Sequence, residues 1–239
     1  MGRLMARALL RFLHMSLRTF VTVVMLSALV HALEMPLRVG DVVTGASSHV
    51  RVTNTARQHV TAWSLAAISR TPTGTHREVY TADGYLSEAT HGLPGSNPRL
   101  ERLAPGESRE LPLDPLPPGS TVEVIAAVLD DGTAIGDEET LASLFAKRAT
   151  ERDALKAVVD AFRDVLPAKH GAEALASLTD RFAALVRRDD AVPCRAALAA
   201  VQTYQQKTNA DEIDRSLQQY ASFVGREYEL AARHATRKN

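Results

Sequence analysis

The residues of this chain that could do chemistry stand apart from one another. His49, His59, His76 and His91 fall in the first half, each alone. Zinc sites are usually announced by close ligand pairs such as HExxH or CxxC, and neither pattern occurs. Cys194 is the only cysteine, so no intrachain disulfide can form. It opens the stretch Cys194-Arg195-Ala196-Ala197-Leu198, where a small buried apolar residue is expected and no histidine stands by to activate a thiolate. Asp130, Asp131, Asp137, Glu138 and Glu139 crowd one segment. Calcium needs six or more oxygen ligands, but Gly132 comes too early for the helix–loop–helix calcium pattern. Asp131-Gly132 reads instead as a hairpin turn and Asp137 as a helix cap. Ser96 lies in a Gly-Ser turn between prolines, and there is no G-x-S-x-G elbow, phosphate loop or G-x-G-x-x-G. No catalytic residue, metal ligand or cofactor follows from these patterns. The alternative is a metal-dependent hydrolase whose site is assembled from distant residues such as Asp83, His91 and Asp130.

The elements that must carry these residues change character once. From Met35 to about Gly136 the chain reads as short strands parted by Pro and Gly turns, at 49–53, 60–71, 76–81, 108–113, 121–129 and 133–135. Val60, Ala62, Ser64, Ala66 and Ile68 alternate with Thr61, Trp63 and Leu65, which predicts a strand covered on both sides. From Asp137 the period becomes helical, with Leu141, Leu144, Phe145, Leu155, Val158, Phe162 and Val165 at three- and four-residue steps until Pro167. Further helices are expected from about Ala172 to Arg188, from Pro193, and from a capping-box-like start at Asn209-Ala210-Asp211-Glu212. Arg148, Arg152 and Arg163 interrupt the first helix. They read as snorkelling stems with solvated heads, because the neighbouring acids Glu151 and Asp153 face away. Partners on the sandwich or on the fourth helix would make them an interdomain clamp instead.

The segments Val50-Arg51-Val52-Thr53-Asn54-Thr55, Thr61-Ala62-Trp63, Leu103-Ala104-Pro105-Gly106-Glu107-Ser108 and Val128-Leu129-Asp130-Asp131-Gly132-Thr133 follow one another, with Gly136-Asp137 closing the order. In that order the chain resembles exported bacterial proteins of unknown function, in which an immunoglobulin- or fibronectin-like sandwich precedes helices. The resemblance covers roughly residues 45–160, is a pattern of fold alone and carries no active site with it. The expected fold is therefore α+β: an N-terminal antiparallel β-sandwich at 35–136, immunoglobulin-like, followed by a C-terminal α-helical bundle at 137–239.

Composition narrows the function classes. The 239 residues are 45% hydrophobic and 23% charged, a globular balance, and only 5% aromatic. Arg3, Arg7, Arg11 and Arg18 precede an uncharged run from Thr19 to Leu33 that contains Val30-His31-Ala32, the outline of a secretory signal over residues 1–32. Retention of that run as an inner-membrane anchor is the alternative, and Met15 offers a second start. Taking four of 28 basic residues away with the signal leaves 24 against 28 acidic, a net −4 that disfavours nucleic acid. The expectation is an exported, periplasmic or extracellular, non-catalytic binding or structural module. Its partner would be a protein or envelope component, with membrane contact only through an uncleaved signal. From Ala82 to Leu103 no strand or helix period is visible, and Tyr85, Leu86, His91 and Leu93 in this loop are the candidate binding residues, or else a cover for the sandwich.

Overall fold

The computed structural model describes residues 34–72, 74–90 and 102–238. Residues 1–33, where the signal is expected, and the loop residues His91 and Leu93 lie outside these. Met35–Asn239 form one compact unit. Seven strands come first: β1 (Leu37–Val43), β2 (His49–Asn54), β3 (Val60–Thr71), β4 (Gly74–Asp83), β5 (Ser108–Pro112), β6 (Thr121–Leu129) and β7 (Ala134–Gly136). One helical turn, α1 (Ser87–Thr90), follows β4. Four longer helices come after β7: α2 (Glu138–Val165), α3 (Gly171–Asp189), α4 (Val192–Tyr204) and α5 (Ala210–His234). The architecture is α+β, a two-sheet antiparallel sandwich followed by helices.

The period-two pattern decides what each strand buries. In β2, Val50 and Val52 are fully buried while Arg51 between them is exposed. The sheets run β1-β2-β5 and β4-β3-β6-β7, with antiparallel neighbours throughout. Leu37, Val50 and Val52 of the first pack against Trp63, Leu65, Val122 and Ala127 of the second, which makes the sandwich core. Strand β3 is covered on both sides, but its faces are not those of simple alternation. Pairing with β6 slips between Val60 and Ala62 and again between Ser64 and Leu65. The extra residue of a bulge turns the chain, so Val60 joins Trp63, Leu65 and Ala67 inside the sandwich while Ala62 faces outward. Buried Asn54 organises the β2–β3 turn: its amide donates to the carbonyls of Gln58 and Leu103, and its Oδ1 accepts from Ala56 N, each at 2.9 Å.

The segment expected to lack structure from Ala82 is ordered at both ends. β4 continues to Asp83, α1 forms, and Leu103 returns fully buried, exchanging two 3.0 Å backbone bonds with Val60. The edge position of Val60 in its ladder leaves backbone groups that Leu103 satisfies.

The passage to helix is made at Gly136, whose φ is +125° and where a Cβ would stand 2.1 Å from the carbonyl oxygen of Ile125. Asp137 then caps α2 by accepting from Thr140 N at 2.8 Å. Asn209 caps α5 through the amides of Asp211 and Glu212. The reciprocal half of the expected capping box is missing, because the Glu212 carboxylate is taken by the Lys207 ammonium. Leu155, Val158, Phe162, Leu178, Phe182, Val201, Leu217 and Val224 meet in one helical core. Among the described residues, no helix is long and apolar enough to cross a membrane.

Candidate functional site

The site begins with the apolar stripe of α2. Leu141 and Leu144 pack on the outer face of the four-stranded sheet with Ala62, Ala126 and Val128, whereas Leu155, Val158, Phe162 and Val165 belong to the helical core. One turn past Leu144 the stripe is occupied by Arg148, which is completely buried. Its Nε and Nη2 donate to the two carboxylate oxygens of Asp83, on β4, at 3.0 and 2.8 Å. Nη2 also reaches Thr61 Oγ1, on β3, at 3.3 Å, and Nη1 donates to the His234 carbonyl at the end of α5 at 3.2 Å. The guanidinium lies 4.6 Å from the Tyr85 ring centroid and 5.5 Å from that of Phe145. The planar fork of arginine thus joins both halves of the fold at one point. The head is not solvated, because its partners lie on the sandwich and on the last helix, beyond the reach of spacing along α2.

Around the clamp the shifts follow burial. Burial, and then the Arg148 charge, push the His234 imidazole below its usual pKa. Tyr85 donates to Glu151 at 2.7 Å, and burial followed by that carboxylate pushes its phenol upward. Glu227, on α5, is pushed up to about 7, by burial first and by Glu151 second.

Beside the clamp lies an open cleft of about 530 Å³. Its floor is the outer row of β4, with Arg77, Val79, Thr81 and Asp83 at period two. Its wall is the face of α2 that carries Thr140, Ser143, Leu144 and Lys147 at helical spacing. The carboxylates of Asp83 and Asp137 are held by Arg148 and Thr140. Arg77 and Lys147 make no ion pair among the described residues, and with Glu139, Thr81 and Ser143 they are the polar groups the cleft offers.

The residues singled out from sequence are placed differently from one another. Tyr85 is not a surface residue: it is 2% exposed, a member of the helical core, and its hydroxyl is spent on Glu151. Leu86 is half-buried against the same core. His91 and Leu93 lie outside the described residues. Asp83 and Asp130, carboxylates of the hydrolase alternative, are each engaged by an arginine, Arg148 and Arg102. Among the described residues no three His, Cys, Asp or Glu side chains converge to hold a metal ion. Arg152 does reach the adjacent Asp153 at 2.7 Å, because its long stem bends along the helix surface. Arg163 lies exposed and pairs with Asp160 at 3.0 Å. Cys194 is buried, and burial pushes its thiol up. The cleft was missed by sequence reasoning. Its only signal was Arg148 at a stripe position, which was read as a snorkelling stem, with a clamp to the sandwich or the fourth helix as the alternative.

Comparison with known proteins adds little. No family model matches the chain, and no curated protein does. Among solved structures, it is similar to a hypothetical protein from Peptoclostridium difficile 630, at 9% identity and a TM-score of 0.30, over 46% of this chain and 91% of that one.

Proposed function

We propose that this protein is an exported, non-catalytic binding module that takes a protein or other envelope component into the cleft between β4 and α2. The observation that carries the reading is the uncovered outer row of β4. On the same sheet face α2 covers Ala62, Ala126 and Val128, whereas Arg77, Val79 and Thr81 stay open beside Lys147, which makes no ion pair among the described residues. A rigid wall and floor, fixed to each other by the buried Arg148–Asp83 pair, suit recognition of a preformed surface. Two of the three carboxylates that line the cleft, Asp83 and Asp137, are held by Arg148 and Thr140, and the third, Glu139, is exposed to solvent, which favours binding over acid–base chemistry. Export rests on the basic and apolar pattern of residues 1–32, and the sandwich-then-helices order is the one resembled among exported bacterial proteins.

The test is a photo-activatable cross-linker placed in the producing cell at Ser143, or at exposed Gln218 on α5, which does not line the cleft. A discrete adduct from Ser143 that disappears with Lys147→Glu, with none from Gln218, is the expected result. No adduct at Ser143, or equal adducts at both positions, overturns the reading.

A further inference from the structure

Sheet edges are templates for further strands, and folded proteins normally blunt them. Three of the four edges here are blunted. β1 slips register between Val39 and Val42, β5 has five residues and ends at Pro112, and β7 has three residues. β4 is different: it pairs with β3 over ten consecutive residues without irregularity, from Asp83↔Ala62 to Gly74↔Thr71, and contains no proline or lysine. Among the described residues, no backbone group from Thr75 to Ala82 bonds to anything beyond the β3 ladder. Val79, at the middle of this strand, is 43% exposed.

We propose that the β4 edge pairs antiparallel with β4 of a second copy of this chain, centred on Val79, to give a continuous eight-stranded sheet. Residues directly opposite in an antiparallel pair share a face, so a two-fold axis must pass beside one residue position rather than between two. Maximum overlap of a strand spanning 74–83 places that position at Glu78 or Val79. Centring on Glu78 sets two carboxylates against each other, and centring one step further on Arg77 sets two guanidiniums together. Centring on Val79 brings the two exposed valines into contact. It also places Arg77 opposite the partner's Thr81 and Glu78 opposite the partner's Tyr80, with no like charges facing. The axis keeps both outer faces on one side, and α2 packs over β6 and β7 and reaches β4 at its Asp83 end, away from Val79. The two clefts then merge into one trough with a helix wall on each side. This inference goes beyond the binding reading and does not depend on what the cleft holds.

Sedimentation equilibrium of the full chain over a wide concentration range tests it, alongside two variants that each add one surface cysteine to the buried Cys194, under oxidising conditions. A dimer is expected, weakened at least tenfold by Val79→Arg, which faces its own charge across the axis. Val79→Cys should form a disulfide-linked dimer and Thr75→Cys should not, since position 75 lies opposite the partner's residue 83. Val79 is on the surface, so the variants are expected to keep the melting behaviour of the unaltered chain. A chain that is monomeric at every concentration overturns the proposal and leaves the edge to a strand from another protein. A dimer indifferent to Val79→Arg, or equal cross-linking from both cysteines, overturns it as well. The Ser143 adduct is a separate readout, so loss of one result leaves the other standing.

Discussion

The two halves of α2 solve the same problem with different materials. Its C-terminal half buries Leu155, Val158, Phe162 and Val165 in a broad apolar core shared with α3, α4 and α5. Its N-terminal half has Leu141, Leu144 and the half-buried Phe145 to set against Ala62, Ala126, Val128 and Ala134, short side chains on the sheet. A narrow apolar contact is non-directional and leaves the helix free to slide or rotate. The polar clamp stands at the border between the halves, where it adds direction. Its four hydrogen bonds fix Arg148 against two strands and the last turn of α5 at once. Where helix meets helix, packing specifies the arrangement; where helix meets sheet, one arginine does so, and β4 is left bare.

The largest break of this contrast is expected at the clamp. Arg148→Ala leaves the Asp83 carboxylate, 7% exposed, without its cation, and should cost about 3–5 kcal/mol in urea unfolding. Replacing both partners, Arg148→Met with Asp83→Leu, should recover most of that loss, because no buried charge is then stranded. If the double variant is as unstable as the single one, the clamp acts through shape rather than charge. Leu141→Ala comes next, at about 2–4 kcal/mol, since a fully buried leucine is removed from a contact with few other large side chains. A cost below about 1 kcal/mol would mean that the helix relaxes onto the sheet and that the narrow contact is looser than its burial indicates.

Much of the fold was legible because its signals are local. Pro and Gly turns parted the strands, Asp137 and Asn209 marked two helix starts, and the apolar stripe gave α2 to within a residue or two. Legibility failed where a signal crosses the chain. The bulge that seats Val60 inside the sandwich depends on pairing with β6, and the burial of Tyr85 depends on a helical core that begins seventy residues later. The stripe position of Arg148 was visible, yet Asp83 lies 65 residues upstream and no spacing rule connects them. The cleft was invisible for the same reason: its floor and wall are regular elements of ordinary composition, and only their juxtaposition makes a site.

The smallest expected effect lies just past the border, where the packed half of α2 carries one polar flaw. Glu151 accepts the Tyr85 hydroxyl and faces Glu227, whose carboxyl is pushed up to about 7. A carboxyl whose folded pKa exceeds its ordinary 4.5 binds its proton more tightly in the native state than in the unfolded one. Between those two values the native chain holds the extra proton, so its contribution to stability is complete below about pH 4.5 and is lost as pH rises through 7. Glu227→Gln should remove this dependence. At pH 8 the variant is expected to be more stable by about 1 kcal/mol, the solvent around the half-buried group keeping the gain well under the full linkage value. Near pH 5 the two proteins should unfold alike. His234 and the capping carboxylates titrate equally in both, so the difference between the two stability curves isolates Glu227. A difference that does not change between pH 5 and 8 would mean that Glu227 ionises as freely as a surface acid, and that the helix–helix half of α2 tolerates charge as well as the sheet half does.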